Sequence, residues 1–210
     1  MKKIAIISIC IALVIFIIFF TQIAYKKINT GNNIINKSTS QIVDTILNMK
    51  SYSAKVNIKI VSNKNENNYT IIQESIDNKK YKQEVLEPEN IKGTTINYDG
   101  QKLELKNTRL NLNKVYENYP YLTENELLLS SFVEDYNTDK NSKYMENNNE
   151  IIMKAKSQGT NKYNTEKTLV VNKNTGKPMQ LNIKDVTQNI VVYILYNEIE
   201  IDSMTSDTII

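Results

Sequence analysis

The chain has 210 residues, of which 40% are hydrophobic, so it is long enough for one ordinary domain plus an appendage. Its net charge of +3 comes from lysines spread along the chain with Arg109 as the only arginine, a pattern that excludes a concentrated phosphate-binding surface and makes nucleic acid an unexpected partner. Histidine is absent and Cys10 is the only cysteine, which excludes Ser-His-Asp and Cys-His catalysis, internal disulfides and most catalytic zinc sites.

The remaining route to catalysis is a pair of carboxylates that acts as acid and base. Asp and Glu are plentiful, but no pair stands in a sequence context that marks it for this chemistry. We therefore expect a protein that is not an enzyme and needs no cofactor.

An almost unbroken apolar run, IAIISICIALVIFIIFF, extends from Ile4 to Phe20 and continues to Ala24. At about 1.5 Å per residue it approaches the roughly 30 Å of a bilayer core, so residues 1–24 are predicted to be a membrane anchor or signal-anchor. Cleavage is the alternative, but the run ends without a small-x-small site. Ile9 precedes Cys10 where a lipid-modified cysteine needs a small residue, so Cys10 is interpreted as a plain membrane thiol. The large polar domain is expected outside the cytoplasm.

The next segments predict a tether, one domain and a tail. Residues 25–37 are polar and Asn-rich, the domain is predicted over 38–202, and the tail covers 203–210. Within the domain, Ile42, Val43 and Ile46 recur at helical spacing after the candidate caps Ser38 and Ser40, which predicts a short amphipathic helix.

Strand patterns dominate the rest of the domain. From Tyr52 to Ile60, apolar and polar residues alternate strictly, as in a strand with one buried face. Further strands are predicted at Tyr69–Ile76, Lys80–Leu86, Ile151–Lys156, Lys167–Asn172, Met179–Lys184 and Asn189–Asp202.

The stretch INYDGQKLEL predicts a β-hairpin. Asp99 and Gly100 suit a two-residue turn, because Gly adopts a positive φ without a Cβ clash. Tyr98, Leu103 and Leu105 would then share one face. We interpret this hairpin as a structural corner.

A second helix is predicted from about Glu124 to Tyr136. Thr123-Glu124-Asn125-Glu126 fits a capping box. The helix is apolar around much of its circumference, so it should be buried across the sheet or against a partner, and core packing is the favoured alternative. The residues predicted for this buried face are Leu127, Leu128, Phe132 and Val133.

Together these elements predict a mainly β, α+β fold: a curved, unclosed antiparallel barrel wrapped around helices. The inner face of such a sheet is the natural place for a ligand.

Asp135, Asn137, Asp139 and Glu146 match several ligand positions of an EF-hand loop, which makes them a weak calcium candidate. However, Lys140 stands where that loop needs Gly. An Asn-rich stretch also replaces the exit helix, so a solvated loop is the favoured interpretation.

Tyr116, Tyr119 and Tyr121 form an aromatic cluster in VYENYPYL that could anchor a partner, because tyrosine offers contact area and a polar tip. Alternatively, these tyrosines fold back over the edge of the sheet, which is the interpretation we favour.

The order of these parts resembles the LolA-like fold, an unclosed antiparallel barrel curled around helices, from about Ser38 to Asp202. PENIKGTTINYDG, TRLNLNKVYENYPYLTENELLLSSFVEDY and VVYILYNEI are moreover similar to the spore-germination lipoproteins of clostridia. One difference is the absence of a lipid-attachment motif, so here the N-terminal helix would hold the protein.

The resemblance implies binding instead of catalysis. Its expected partner is an N-acetylmuramoyl-L-alanine amidase, a zinc enzyme needed for spore-cortex modification, and the zinc would belong to that enzyme. The expected location is the intermembrane space of the developing spore. A lipid or lipoprotein carrier of the LolA type is the alternative function, and the sequence leaves open whether the domain forms a homodimer.

Overall fold

The computed structural model describes residues 37–62, 64–77, 79–119, 125–158 and 161–204. The predicted anchor, 1–24, and nearly all of the tether lie outside these ranges. Within them, no helix combines the length and apolar character needed to cross a bilayer.

Eleven strands form one antiparallel sheet in the described part of the chain. Their order is β6-β5-β4-β3-β2-β1-β11-β10-β9-β8-β7, so β6 and β7 lie at opposite ends and the sheet is not closed. The bounds are β1 Ser51–Val61, β2 Glu66–Ile76, β3 Lys80–Glu87, β4 Thr95–Tyr98, β5 Leu103–Asn107, β6 Leu112–Tyr116, β7 Lys143–Asn147, β8 Glu150–Lys156, β9 Glu166–Asn172, β10 Pro178–Lys184 and β11 Ile190–Ile201.

The first helix, α1, covers Thr39–Leu47. Ser38 is its N-cap and forms a reciprocal capping box with Gln41, so free backbone donors of the first turn are satisfied. Its buried side chains are Ile42, Val43 and Ile46. The apolar side of the predicted amphipathic helix therefore faces the core of the domain.

The second helix, α2, covers Leu129–Thr138. The prediction that it starts near Glu124 is wrong, because residues 126 and 127 form a turn and Leu128 is the N-cap without a side-chain cap. Thr123 and Glu124 of the predicted capping box lie outside the described residues.

The helix α2 packs on β8 and α1 packs against α2, and we call the face of the sheet that α2 covers the inner face. Alternate residues of the central strands point there, and directly paired residues of neighbouring strands share that face. The largest fully buried side chains are Tyr52, Tyr81, Phe132, Lys167, Ile42, Ile46, Met49, Ile58, Leu128, Leu129, Ile151 and Met153. Helix side chains thus fill much of the inner face.

The mainly β class, the antiparallel pairing and the unclosed sheet with two helices in the described chain are confirmed. Two strands were missed: β6, at the start of the tyrosine cluster, and β7, in the Asn-rich stretch. Both are short edge strands whose residues are almost all exposed.

The hairpin also differs from its prediction. Tyr98 pairs with Leu103, so residues 99–102 connect β4 and β5 and the connection is longer than the two-residue turn expected. Gly100 has φ +110°, whereas Asp99 lies outside the positive-φ region. Oδ1 of Asp99 accepts hydrogen bonds from the backbone N–H groups of Gln101 (2.9 Å) and Lys102 (2.8 Å).

Candidate partner-binding site

A buried polar network fixes the start of α2 on the sheet. The hydroxyl of Tyr52 accepts a hydrogen bond from the N–H of Leu129 at 3.3 Å. Nε2 of Gln73 donates to the carbonyl of Leu127 at 3.2 Å. Because a helix start carries backbone N–H groups without intrahelical partners, the tyrosine hydroxyl takes the role of a cap from across the core.

A buried ion pair fixes the middle of α2. Nζ of Lys167, on β9, lies 2.7 Å from Oδ2 of Asp135 and 2.8 Å from Oγ of Ser131. The N–H of Gln158 donates to Oδ1 of Asp135 at 3.0 Å. A buried charge is tolerated when it is paired and hydrogen-bonded, so these contacts determine where α2 lies on the sheet.

The four residues predicted for the buried helix face lie on α2 or just before it, and most of them are buried. Leu128, Phe132 and Val133 are buried, whereas Leu127 is partly exposed. The inner face under α2 is therefore occupied by side chains of the domain itself.

The predicted tyrosine cluster lies at the β6 edge of the sheet. Tyr116 ends β6 and is 45% exposed, and its ring centroid is 5.7 Å from that of Tyr119. Tyr119 is partly buried, and its N–H donates to the carbonyl of Gln101 at 2.9 Å. Tyr121 lies outside the described residues.

Tyr119 also packs against a core cluster. That cluster contains Tyr81, Tyr98, Leu103 and Leu128. Desolvation by burial, the largest cause, raises the pKa of Tyr81 to about 12. Tyr119 therefore holds the segment after β6 on the core, while Tyr116 remains accessible.

The β6 edge is accessible and partly apolar. Leu110 is 49% exposed and Val115 is 45% exposed, close to the value for Tyr116. Among the described strands only β5 pairs with β6, so one row of backbone groups of β6 faces away from the sheet. Such an edge can accept a further strand from a partner, with nearby apolar side chains adding contact area. The prediction from sequence missed this strand.

The four calcium-candidate residues do not form an EF-hand loop. Asp135 and Asn137 lie inside α2, and Asp135 pairs with Lys167. Both oxygens of Asp139 accept backbone N–H groups, those of Lys156 and Asn141, which lower the pKa of this carboxyl.

Glu146, the last of the four, lies on β7 and contacts other partners. Lys173 and Thr39 bind its two carboxylate oxygens and lower its pKa, with Lys173 as the larger cause. Within the described residues, no three His, Cys, Asp or Glu side chains are grouped as a metal site.

A second surface feature, which no sequence pattern predicted, is a groove of about 650 Å³ on the face of the sheet opposite the helices. We call this the outer groove. Residues of β1, β2, β10 and β11 line it, together with Glu87 at the end of β3.

Comparisons with known proteins show the family of this chain and a similar chain in a solved complex. The family model described as Sporulation protein YdcC-like matches residues 4–209. The structure of the CwlD amidase from Clostridioides difficile in complex with the GerS lipoprotein contains a chain that is 25% identical with a TM-score of 0.50. The alignment covers 79% of this chain and 97% of that chain, which confirms the predicted resemblance to a clostridial spore-germination lipoprotein.

Two other structures are more distant in sequence. An uncharacterized conserved protein from Thermus thermophilus is 10% identical with a TM-score of 0.50, over 82% of this chain and 93% of that chain, and shows the fold alone. The LolA superfamily protein NE2245 from Nitrosomonas europaea is 11% identical with a TM-score of 0.44, over 83% of this chain and 98% of that chain. The comparison with curated proteins gave no match. Because the family model covers nearly the whole sequence, the chain belongs to the YdcC-like family of sporulation proteins.

Proposed function

We propose that this protein is a non-catalytic binding protein that supports spore germination. In this proposal it binds and activates an N-acetylmuramoyl-L-alanine amidase needed for cortex modification. The observation that carries the proposal is the match to the complex of the CwlD amidase with the GerS lipoprotein, over 97% of the matched chain. The absence of histidine from the sequence agrees with a role in which the partner supplies the catalytic chemistry.

We further propose that the apolar run near the N-terminus anchors the protein in a membrane and that its domain faces outside the cytoplasm, in the intermembrane space of the developing spore. Support comes from the length of that apolar run and from the similarity to GerS, which is a lipoprotein.

The surface we assign to the amidase is the β6 edge with Tyr116, Val115 and Leu110. These side chains are close to half exposed. Because Tyr119 already holds the neighbouring segment in place, binding should cost little conformational entropy of the backbone. A standard interface buries roughly 1,600 Å² in total, so the contact must extend beyond this edge strand.

The test is complex formation between the full chain and the host's sporulation amidase, in a non-glycosidic detergent. Size exclusion with light scattering gives the mass of the complex, and amidase activity is assayed in parallel. We expect one defined complex with raised activity.

Tyr116→Ser should weaken the complex at least about tenfold, as expected for an aromatic residue that contributes strongly to an interface. Tyr144→Ser is the matched control, because Tyr144 is 44% exposed on β7 at the opposite edge. Equal effects of the two substitutions would overturn the assignment to β6. Separate peaks with unchanged activity would overturn the amidase proposal itself.

In that second case, a lipid or lipoprotein carrier is the function to test next, by mass spectrometry of acyl chains bound to native protein. Side chains of α1 and α2 fill much of the inner face that such a carrier would need, so this alternative has less support.

A further inference from the structure

The outer groove crosses the middle of the sheet. Asn57 on β1 lies opposite Thr70 on β2 and Leu195 on β11, and Gln180 on β10 lies opposite Leu195. Directly paired residues share a face, and the neighbours of Asn57 on β1, Val56 and Ile58, point into the core. This row of side chains therefore lies on the outer face.

A second row completes the floor of the groove. Lys59 on β1 lies opposite Asn68 on β2 and Tyr193 on β11. With about 4.8 Å between neighbouring strands, a path from β3 to β10 runs across five strands and is about 19 Å long. The groove is therefore suited to a chain-like ligand lying across the strands.

The polar side chains in the groove are mainly amides and hydroxyls. The hydroxyl of Thr70 lies 3.3 Å from Oδ1 of Asn57 and 3.0 Å from Oε2 of Glu87, so these three side chains hold one another in place. Nε2 of Gln180 donates to Oδ1 of Asn182 at 2.6 Å, which fixes the orientation of that amide. Amides held in this way can donate to and accept from hydroxyl groups, and the carboxylate of Glu87 can accept from them.

The groove also has apolar surface between its polar groups. Leu195 is 44% exposed, and Tyr193 contributes an aromatic ring. A ligand that fits must therefore present hydroxyl or amide groups at its edges and C–H groups on its faces. A pyranose ring has this character.

Charge argues against a nucleic acid as the ligand, and desolvation argues against an acyl chain. Lys59 is paired with Glu66 at 2.7 Å, and Glu87 adds a negative charge, so the groove does not offer the excess of cations that a nucleic acid needs. An acyl chain has no hydrogen-bonding groups, so it would displace water from the amides of Asn57, Asn68 and Gln180 without offering them a replacement, at a cost in desolvation. A neutral, hydroxyl-rich chain avoids both costs.

We propose that the outer groove is a binding site for an oligosaccharide chain, with Asn57, Asn68 and Gln180 as polar contacts and Tyr193 as the ring against which a sugar packs. The site is distinct from the β6 edge and does not depend on the amidase proposal. A volume of about 650 Å³ is within the usual range for ligand sites, about 300–1,000 Å³.

The test is isothermal titration of the full chain, without any amidase, in the same non-glycosidic detergent. The probes are chitotetraose and cellotetraose, two neutral chains that differ in whether their sugars carry acetamido groups. We expect saturable binding of at least one probe, which identifies the preferred sugar. We expect Gln180→Ala to weaken binding about fivefold, the effect of one lost hydrogen bond, and Gln180→Ala with Tyr193→Ala to weaken it more than tenfold.

Asn113→Ala is the matched control for Asn68→Ala, because both are exposed strand asparagines and Asn113 lies on β6. Weaker binding with Asn68→Ala and unchanged binding with Asn113→Ala would support the site. The absence of binding to both sugars at millimolar concentration would overturn the proposal. Equal loss with Asn68→Ala and Asn113→Ala, or tighter binding of an uncharged extended peptide than of either sugar, would also overturn it.

Discussion

Nζ of Lys167 lies 2.7 Å from Oδ2 of Asp135, and the two side chains are only 1% and 9% exposed. This pair joins β9 to the middle of α2 through the core. Removal of one member leaves a buried charge without its partner, which typically costs about 3–5 kcal/mol of the free energy of unfolding. We expect Lys167→Met to cause a loss of this size in urea unfolding.

The control for this prediction is Lys184→Met. Lys184 pairs with Glu166 at 2.9 Å, but both side chains are 26% exposed, so its loss should cost less than about 1 kcal/mol. The double substitution Lys167→Met with Asp135→Asn should recover most of the stability, because it leaves no unpaired charge and keeps an oxygen that accepts from the N–H of Gln158. If Lys167→Met and Lys184→Met cost the same, the buried pair does not determine the position of α2.

A second prediction concerns the cap that the sheet provides for α2. Tyr52→Phe removes the hydroxyl that accepts from Leu129, and leaves that backbone group in the core with one partner fewer. The expected cost is about 1–3 kcal/mol in urea unfolding. Tyr163→Phe is the control, because Tyr163 is 61% exposed and should tolerate the change within about 0.5 kcal/mol. Equal stability of the two variants would show that the hydroxyl of Tyr52 is dispensable.

The Tyr52 contact also shows why the start of α2 could not be predicted from sequence. A helix start is recognised from a cap close by in the sequence, whereas here the acceptor lies 77 residues away. Asn125 adds a local turn, with its side-chain oxygen accepting from the N–H of Leu127 at 3.2 Å. The helix therefore begins later than its apolar pattern indicates.

Some strands could likewise be predicted from the sequence and others could not. The strand from Tyr52 to Ile60 could be predicted because one of its faces is buried and the other faces solvent. Apolar and polar residues therefore alternate along it with a period of two. β6 and β7 are exposed on both faces, so their side chains carry no such period, and they exist because β5 and β8 offer edges to pair with. Since β6 is the candidate binding edge, this part of the site could not be found from periodicity.

The buried ion pair, by contrast, left a signal in the sequence. Lys167, Leu169 and Val171 stand at alternate positions of β9 and must share a face, so Lys167 could have been placed in the core. The partner of this lysine could not be identified, because Asp135 belongs to a helix whose rotation about its axis depends on packing.

A third prediction tests the hairpin. Gly100 has φ +110°, a conformation that a β-branched residue resists. Gly100→Val should therefore cost about 1–3 kcal/mol in thermal or urea unfolding. Gln101→Val is the control in the same loop, because Gln101 is outside the positive-φ region. If both variants are equally stable, backbone strain at Gly100 is not what constrains this turn.

A fourth prediction concerns acid. Lys173, and to a smaller extent Thr39, lower the pKa of Glu146 from its ordinary value of 4.5. A carboxyl with a lowered pKa in the folded state stabilises the fold above its unfolded pKa, and this contribution disappears as the pH falls through the folded pKa. The stability difference between the natural chain and Glu146→Gln should thus be constant near pH 6 and shrink below about pH 4.5.

The measurement is urea unfolding at several pH values from about 6 to 3. Lys173→Met should give a similar loss of pH dependence, because it removes the larger cause of the lowered pKa. A difference that stays constant over the whole range would contradict the role of Glu146 in acid sensitivity.

The last prediction separates the two described tyrosines of the candidate binding edge. Tyr119 packs on the core cluster, so Tyr119→Ser should lower the free energy of unfolding by roughly 2–3 kcal/mol. Tyr116 is 45% exposed and contributes mainly its ring contact with Tyr119, so Tyr116→Ser should cost less than about 1 kcal/mol. Urea unfolding of both variants gives the comparison.

Amidase binding by the same two variants then tests what each tyrosine does. Tyr116→Ser should lose binding while the domain remains stable, because its exposed ring is available to a partner. Tyr119→Phe keeps the ring on the core and should preserve both stability and binding. If instead Tyr116→Ser destabilises the domain as much as Tyr119→Ser, the ring of Tyr116 is part of the core packing, and the partner surface has to be sought on another part of the molecule.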